Sequence, residues 1–129
     1  MSQTRLSTGI LQNNEAFPIA VHVDVANVDP DNNRTIRVEG INWGTGVGPI
    51  GPVGFFLAPT TVTLLPNTRQ EFIFTVPSTD PNTHYEVRVT YEFDDVLVTT
   101  KATNAVTANT GWLEGHTVLK HDFTQVDLD

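Results

Sequence analysis

Histidines, carboxylates and hydroxyls are the side chains of this sequence with the most chemistry to offer, and their spacing limits how much of it can be used. A transition-metal site needs imidazoles or carboxylates that converge, which on a strand means positions i and i+2 on one face. His22, His84, His116 and His121 contain no such pair, and the step from His116 to His121 puts those two on opposite faces of a regular strand. Oxygen ligands are better represented: Asp29, Asp31 and Asn33 alternate within one turn, and Asp80, Asp94 and Asp95 fall in others. Such carboxylates suit calcium, but Asp and Asn are equally the ordinary residues of turns, and the helix-flanked calcium loop is missing. The expectation is no metal and no cofactor. The serines are Ser2, Ser7 and Ser78, none of them in Gly-x-Ser-x-Gly, and there is no cysteine. Paired carboxylates for glycoside hydrolysis meet in space and follow no rule of sequence spacing. With no catalytic residue to name, the chain reads as a non-enzyme.

Two segments hold residues suited to recognition. Gly44-x-Gly-x-Gly48 follows a strand as a phosphate-binding loop would, but Pro49 and Pro52 stand where a helix has to begin. Residues 44–54, with five of the nine glycines and two of the eight prolines, therefore form a loop, and two Gly-Pro-x triplets are too few for a triple helix. Trp43, Trp112, Phe55 and Phe56 are the aromatic residues able to build a stacking platform for a sugar. The strand position of Trp43 assigns it to the core, whereas Trp112, between Gly111 and Gly115 in the loop 104–115, is the surface candidate.

Period-two alternation supplies the scaffold for these residues. Ile19, Val21, Val23 and Val25 face one way, and the turn formers of 27–33 close that strand. Residues 34–43 return, with an apolar parity that shifts from Ile36 and Val38 to Ile41 and Trp43, which predicts a β-bulge near Gly40. Two short strands, 55–57 and 61–65, flank Pro59. Phe72, Phe74 and Val76 share a face of the next strand. In 84–93, Tyr85, Val87, Val89 and Tyr91 point inward against His84, Glu86, Arg88, Thr90 and Glu92. Asp94-Asp95 then predicts a hairpin to 96–103, and 116–126 reads as one last strand. The fold class is all-β: a single antiparallel β-sandwich of about eight or nine strands, immunoglobulin-like or jelly-roll. Residues 1–14 are an N-terminal arm or first strand, 15–126 the sandwich, and 127–129 an acidic tail.

Seven Lys and Arg against fifteen Asp and Glu give a net charge of −8, which repels nucleic acid and anionic bilayers at long range. No stretch approaches the about 20 apolar residues of a membrane span, and the N-terminus lacks the apolar core of a signal peptide, so synthesis in the cytoplasm is expected.

Val38-Glu-Gly-Ile-Asn-Trp-Gly-Thr-Gly46, Leu64-Leu-Pro-Asn-Thr68, His84-Tyr-Glu-Val-Arg-Val-Thr90 and Glu114-Gly-His-Thr-Val-Leu-Lys-His121 carry a further expectation. Across residues 9–126 they make the chain resemble small uncharacterised β-sandwich proteins of spore-forming Gram-positive bacteria. The resemblance implies a spore-surface or cell-surface role and transfers no site residue. It favours a structural module that assembles with itself, or with another surface protein, into a filament or coat. The arm containing Ile10 and Leu11 would close the chain's own sheet or pair with a neighbour's open edge. The alternative is a module binding carbohydrate or protein through loops 44–54 and 104–115, with Trp112, Phe55 and Phe56 as contacts.

Overall fold

Strands whose alternate residues are apolar have one face to bury, and here two sheets bury theirs against each other. The computed structural model describes residues 3–78, 83–107, 111–113 and 115–128; Ser2, Asp80 and Glu114 lie outside the described residues. The strands are β1 (Thr4–Ser7), β2 (Leu11–Gln12), β3 (Ile19–Asn27), β4 (Arg34–Gly44), β5 (Gly54–Leu64), β6 (Thr68–Val76), β7 (His84–Tyr91), β8 (Val96–Asn104), β9 (Val118–Leu119) and β10 (Thr124–Val126). A six-stranded sheet runs β10-β1-β7-β4-β5, with β2 also on β7, and a four-stranded sheet runs β6-β3-β8-β9. All pairings are antiparallel. Val21, Val23 and Val25 of one sheet meet Ile36, Val38, Val87 and Val89 of the other in a single core.

Strand order decides between the two sandwich types. Among the described residues only β4 and β5 are consecutive long strands paired in one sheet; β3 to β4, β5 to β6, β6 to β7 and β7 to β8 all cross the sandwich. An immunoglobulin-like domain pairs its last two strands within a sheet, whereas crossing from sheet to sheet is the habit of a jelly roll. The chain is a jelly roll.

Several local expectations are corrected. Asp94-Asp95 does not close a hairpin: both edges of β7 are taken by β1 and β4, so β8 crosses to pair with β3. The segment 116–126 is not one strand. It splits into β9, a single 3-10 turn at Lys120–Asp122, and β10, which belongs to the other sheet. Conversely, Pro59 does not divide 55–65, because β5 runs through it on the sheet edge, where a missing N–H is tolerated. The irregularity at Gly40 is present, with register shifts on either side of it in the β4–β5 pairing. Its extra residues belong to β5, however, and Gly40 keeps the inward position of β4. A Cβ there would stand 2.9 Å from the Phe74 ring. Parity in β4 therefore does not shift, and Ile41 and Trp43 lie on the outer face. Of the two placements open to the arm, the chain adopts the first: β1 lies between β7 and β10 of its own sheet.

Candidate functional site

The outer face of the six-stranded sheet collects the polar residues that alternation turns away from the core. β4 contributes Arg37, Glu39, Ile41 and Trp43, β7 contributes His84, Glu86, Arg88 and Thr90, β1 contributes Arg5 and Ser7, and β5 contributes Thr61 and Phe55. Beneath the 44–54 loop this face is hollowed into a pocket of about 520 Å3 lined by Glu39, Ile41, Trp43, Pro52, Gly54, Phe55 and Arg88. The loop folds back on its own strand through Val53 N–H to the Asn42 carbonyl at 2.8 Å. Its Val47, Ile50 and Val53 side chains are left exposed.

Two carboxylates share this face and differ in their bonding. Glu86 is buried and receives hydrogen bonds from the Ser7 hydroxyl, from Trp43 Nε1 at 2.9 Å and from Arg88 at 2.9 and 3.3 Å. A carboxylate offers about four acceptor positions, and all of them are filled. Burial opposes its ionisation, but the donors from Arg88, Ser7 and Trp43 outweigh it and hold the carboxyl below its ordinary range. Glu86 therefore acts as a fixed anchor that orients the indole of Trp43 and the guanidinium of Arg88. Glu39 is the reverse. It is only 7% exposed, lines the pocket, and makes no hydrogen bond or ion pair with the described residues. A carboxylate left without donors inside a pocket has its acceptors available to whatever enters.

The aromatic residues named from the sequence divide. Phe55, 54% exposed, joins Trp43 in the pocket. Phe56 does not form a surface platform, because it turns inward and stacks on Phe74 with centroids 6.2 Å apart. Trp43 is corrected from the core to the pocket. Trp112 is indeed at the surface, but on the outer face of the other sheet, edge-on to His22 at 5.0 Å and beneath Lys101 at 4.1 Å. Its position across the core from Trp43 keeps it out of the pocket. Ile10 is exposed in a smaller hollow with Trp43, Ile50 and His84, while Leu11 pairs with Tyr85 and packs against the core. Glu39, Ile41, Glu86 and Arg88 were not singled out. Unbroken parity through Gly40 would have identified the β4 members.

Of the turn carboxylates, Asp29 and Asp95 have acceptors committed to donors of their own chain. Asp29 accepts from the Asp31 N–H at 2.7 Å, the Asn32 N–H at 3.0 Å and Arg34 at 2.6 Å, and Arg34 also grips Asp95 at 2.8 and 3.0 Å. The Asp31 amide, aided by Asn32, holds the Asp29 carboxyl down to about 2. The Arg34 guanidinium thus bridges Asp29 and Asp95. His116 is buried, with the Tyr85 hydroxyl 2.5 Å from its Nδ1. Comparison with protein-family models, with curated proteins and with solved structures returns no match, so function is argued from this geometry.

Proposed function

We propose that the chain is a non-enzymatic jelly-roll module that binds carbohydrate at the outer face of its six-stranded sheet. The observation that carries this reading is Glu39, a pocket-lining carboxylate without a partner among the described residues, set beside an indole already oriented by Glu86. A pyranose ring offers an apolar face of C–H groups to an aromatic ring and hydroxyl donors around its edge. Trp43 and Phe55 suit the first, Glu39 and the edge of Arg88 the second. Hydrolysis is a weaker reading, because Glu86, the carboxylate diagonal to Glu39 in the β4–β7 register, is saturated with donors and held ionised. It can serve neither as general acid nor as a free nucleophile.

A glycan array with the full chain tests the proposal. Saturable binding is expected, weakened about tenfold or more by Trp43→Ala and by Glu39→Gln, and unchanged by Trp112→Ala. Binding that survives Trp43→Ala at full strength overturns it.

A second reading, a self-assembling structural or surface module, rests on β6. This nine-residue strand pairs along its whole length with β3 and has no partner strand on its other side among the described residues. A regular open edge is a template for a neighbour's strand. Sedimentation across a wide concentration range, with electron microscopy, checks it; a monodisperse monomer throughout removes it. A spore or cell surface, as the resemblance implies, would suit either reading.

A further inference from the structure

The net charge of −8 makes any unpaired cation conspicuous, and among the described residues there is one. Arg34 is bound by Asp29 and Asp95, Arg88 by Glu86, Arg69 and Lys101 lie at Asp24, Lys120 caps two backbone carbonyls, and Arg5 reaches Thr90 and the Asp127 carbonyl. Arg37 has no hydrogen bond or ion pair. It stands in a straight cross-strand row, Arg5 opposite Thr90, Thr90 opposite Arg37, and Arg37 opposite Thr61. Adjacent strands lie about 4.8 Å apart, so the backbones of Arg5 and Arg37 are separated by roughly 10 Å, a gap two extended guanidinium groups can close on one group between them. The floor of that gap is the Thr90 hydroxyl, and Thr35 and Thr61 flank it. Together these residues line a cavity of about 310 Å3 that is predominantly polar. Glu39 lies two positions along β4 on the same face, and Glu92 lies two positions beyond Thr90; neither pairs with Arg37.

We propose that the Arg5–Arg37 cavity is an oxyanion subsite, which takes the carboxylate or sulfate substituent of an acidic polysaccharide whose ring rests against Trp43 and Phe55. The polysaccharide as carrier rests on the carbohydrate reading above; the oxyanion does not. Guanidinium groups bind carboxylates and tetrahedral oxyanions alike through paired N–H donors, and threonine hydroxyls add neutral donors. Four residues of extended β4 separate Arg37 from Ile41 at the pocket, about 13 Å, so one extended oligosaccharide reaches both. The overall negative charge opposes any anion at a distance, which makes the binding salt-sensitive.

The experiment follows the arginine side-chain and backbone amide signals of the 15N-labelled full chain during titration. The probes are sodium sulfate, a galacturonic acid oligomer, a sulfated galactose oligomer and an uncharged galactose oligomer. Each is run on wild type, Arg37→Gln and Trp43→Ala. Arg37 is exposed and makes no hydrogen bond or ion pair among the described residues, so its replacement leaves the fold intact. The wild type is expected to bind an acidic oligomer about tenfold or more tightly than the neutral one, and Arg37→Gln to lose that preference. Sulfate is expected to shift Arg5 and Arg37 signals in wild type and equally in Trp43→Ala. If no oligomer binds but sulfate still shifts Arg37, the oxyanion subsite stands and the carbohydrate reading fails. No shift of Arg37 by sulfate, or an acidic preference that survives Arg37→Gln, overturns the subsite.

Discussion

Gly40 shows how one missing side chain determines what its neighbours do. Its inward position is occupied by Phe74, whose ring lies between a parallel Phe56 at 6.2 Å and an edge-on Tyr85 at 6.4 Å and so has little room to retreat. Because glycine can fill that inward slot, the strand keeps its alternation, and Glu39, Ile41 and Trp43 remain outside. Gly40→Ala is expected to lower stability by about 1–3 kcal/mol through overpacking, read as a fall in the urea midpoint without a change in slope. The cost should shrink in a Phe74→Leu background, where the clashing ring atoms are gone; an equal cost in both backgrounds would place the strain elsewhere. Legibility in the sequence stops at a similar point. The parity of His84 to Tyr91 is readable because apolar and polar residues simply alternate there. In β4 the inward member is glycine, which carries no hydropathy signal, and Ile41 and Trp43 are apolar residues facing out. Nor can spacing reveal that Glu39 lacks a partner while Glu86 is saturated, since Ser7, Trp43 and Arg88 reach Glu86 from three different strands.

Strands themselves were legible and their partners were not, because period two marks a strand without naming the strand beside it. β7 looked like half of a hairpin, yet it sits in the middle of a sheet, held by β4 on one side and by β1 and β2 on the other. That arrangement makes the N-terminal arm an internal element. Leu6 of β1 is buried in the core, and its burial alone contributes roughly 1.5–3 kcal/mol. Removing residues 1–12 is therefore expected to open the β7 edge, detach β10, and lower the unfolding midpoint by at least the equivalent of that figure. Concentration-dependent aggregation should accompany the loss, since an unpaired β7 edge is a template for association. Unfolding curves and light scattering on the shortened and full chains check this. A truncated chain as stable and as monodisperse as the full one would show that β1 is dispensable to its own sheet and free to pair elsewhere.

At the scale of the molecule, the two ends of the jelly roll are pinned by different polar devices, and these respond to different ranges of pH. At the end where β3 and β7 begin, Asn13 Nδ2 donates to the carbonyls of Phe17, Val76 and Pro77, and His116 stacks on Tyr85 with centroids 5.9 Å apart. At the opposite end, Asn27 Nδ2 donates to Asn32, Leu64 and Leu65, and Arg34 ties Asp29 to Asp95. Burial depresses the His116 pKa, against a smaller upward pull from Glu15, and pushes the Tyr85 phenol up, so both are neutral at pH 7 and share one hydrogen bond between the phenol and Nδ1. The unfolded histidine titrates near 6.5 and takes up a proton first. This contribution to stability is thus fully present above about pH 6.5 and is lost as pH falls towards the lower folded value. Asp29, held at about 2 when folded against roughly 3.9 when unfolded, contributes stability that is present above about pH 4 and lost as pH falls to about 2. Acid should therefore weaken the protein in two steps. Urea midpoints measured from pH 8 to pH 2 are expected to lose the upper step in His116→Gln and to show a smaller lower step in Asp29→Asn, the remainder of which belongs to Glu86, whose carboxyl is also held below its ordinary range. The ends share no residues, so the double variant should combine the two effects additively. A single variant that removes both steps would instead mean that one end governs acid unfolding of the whole sandwich.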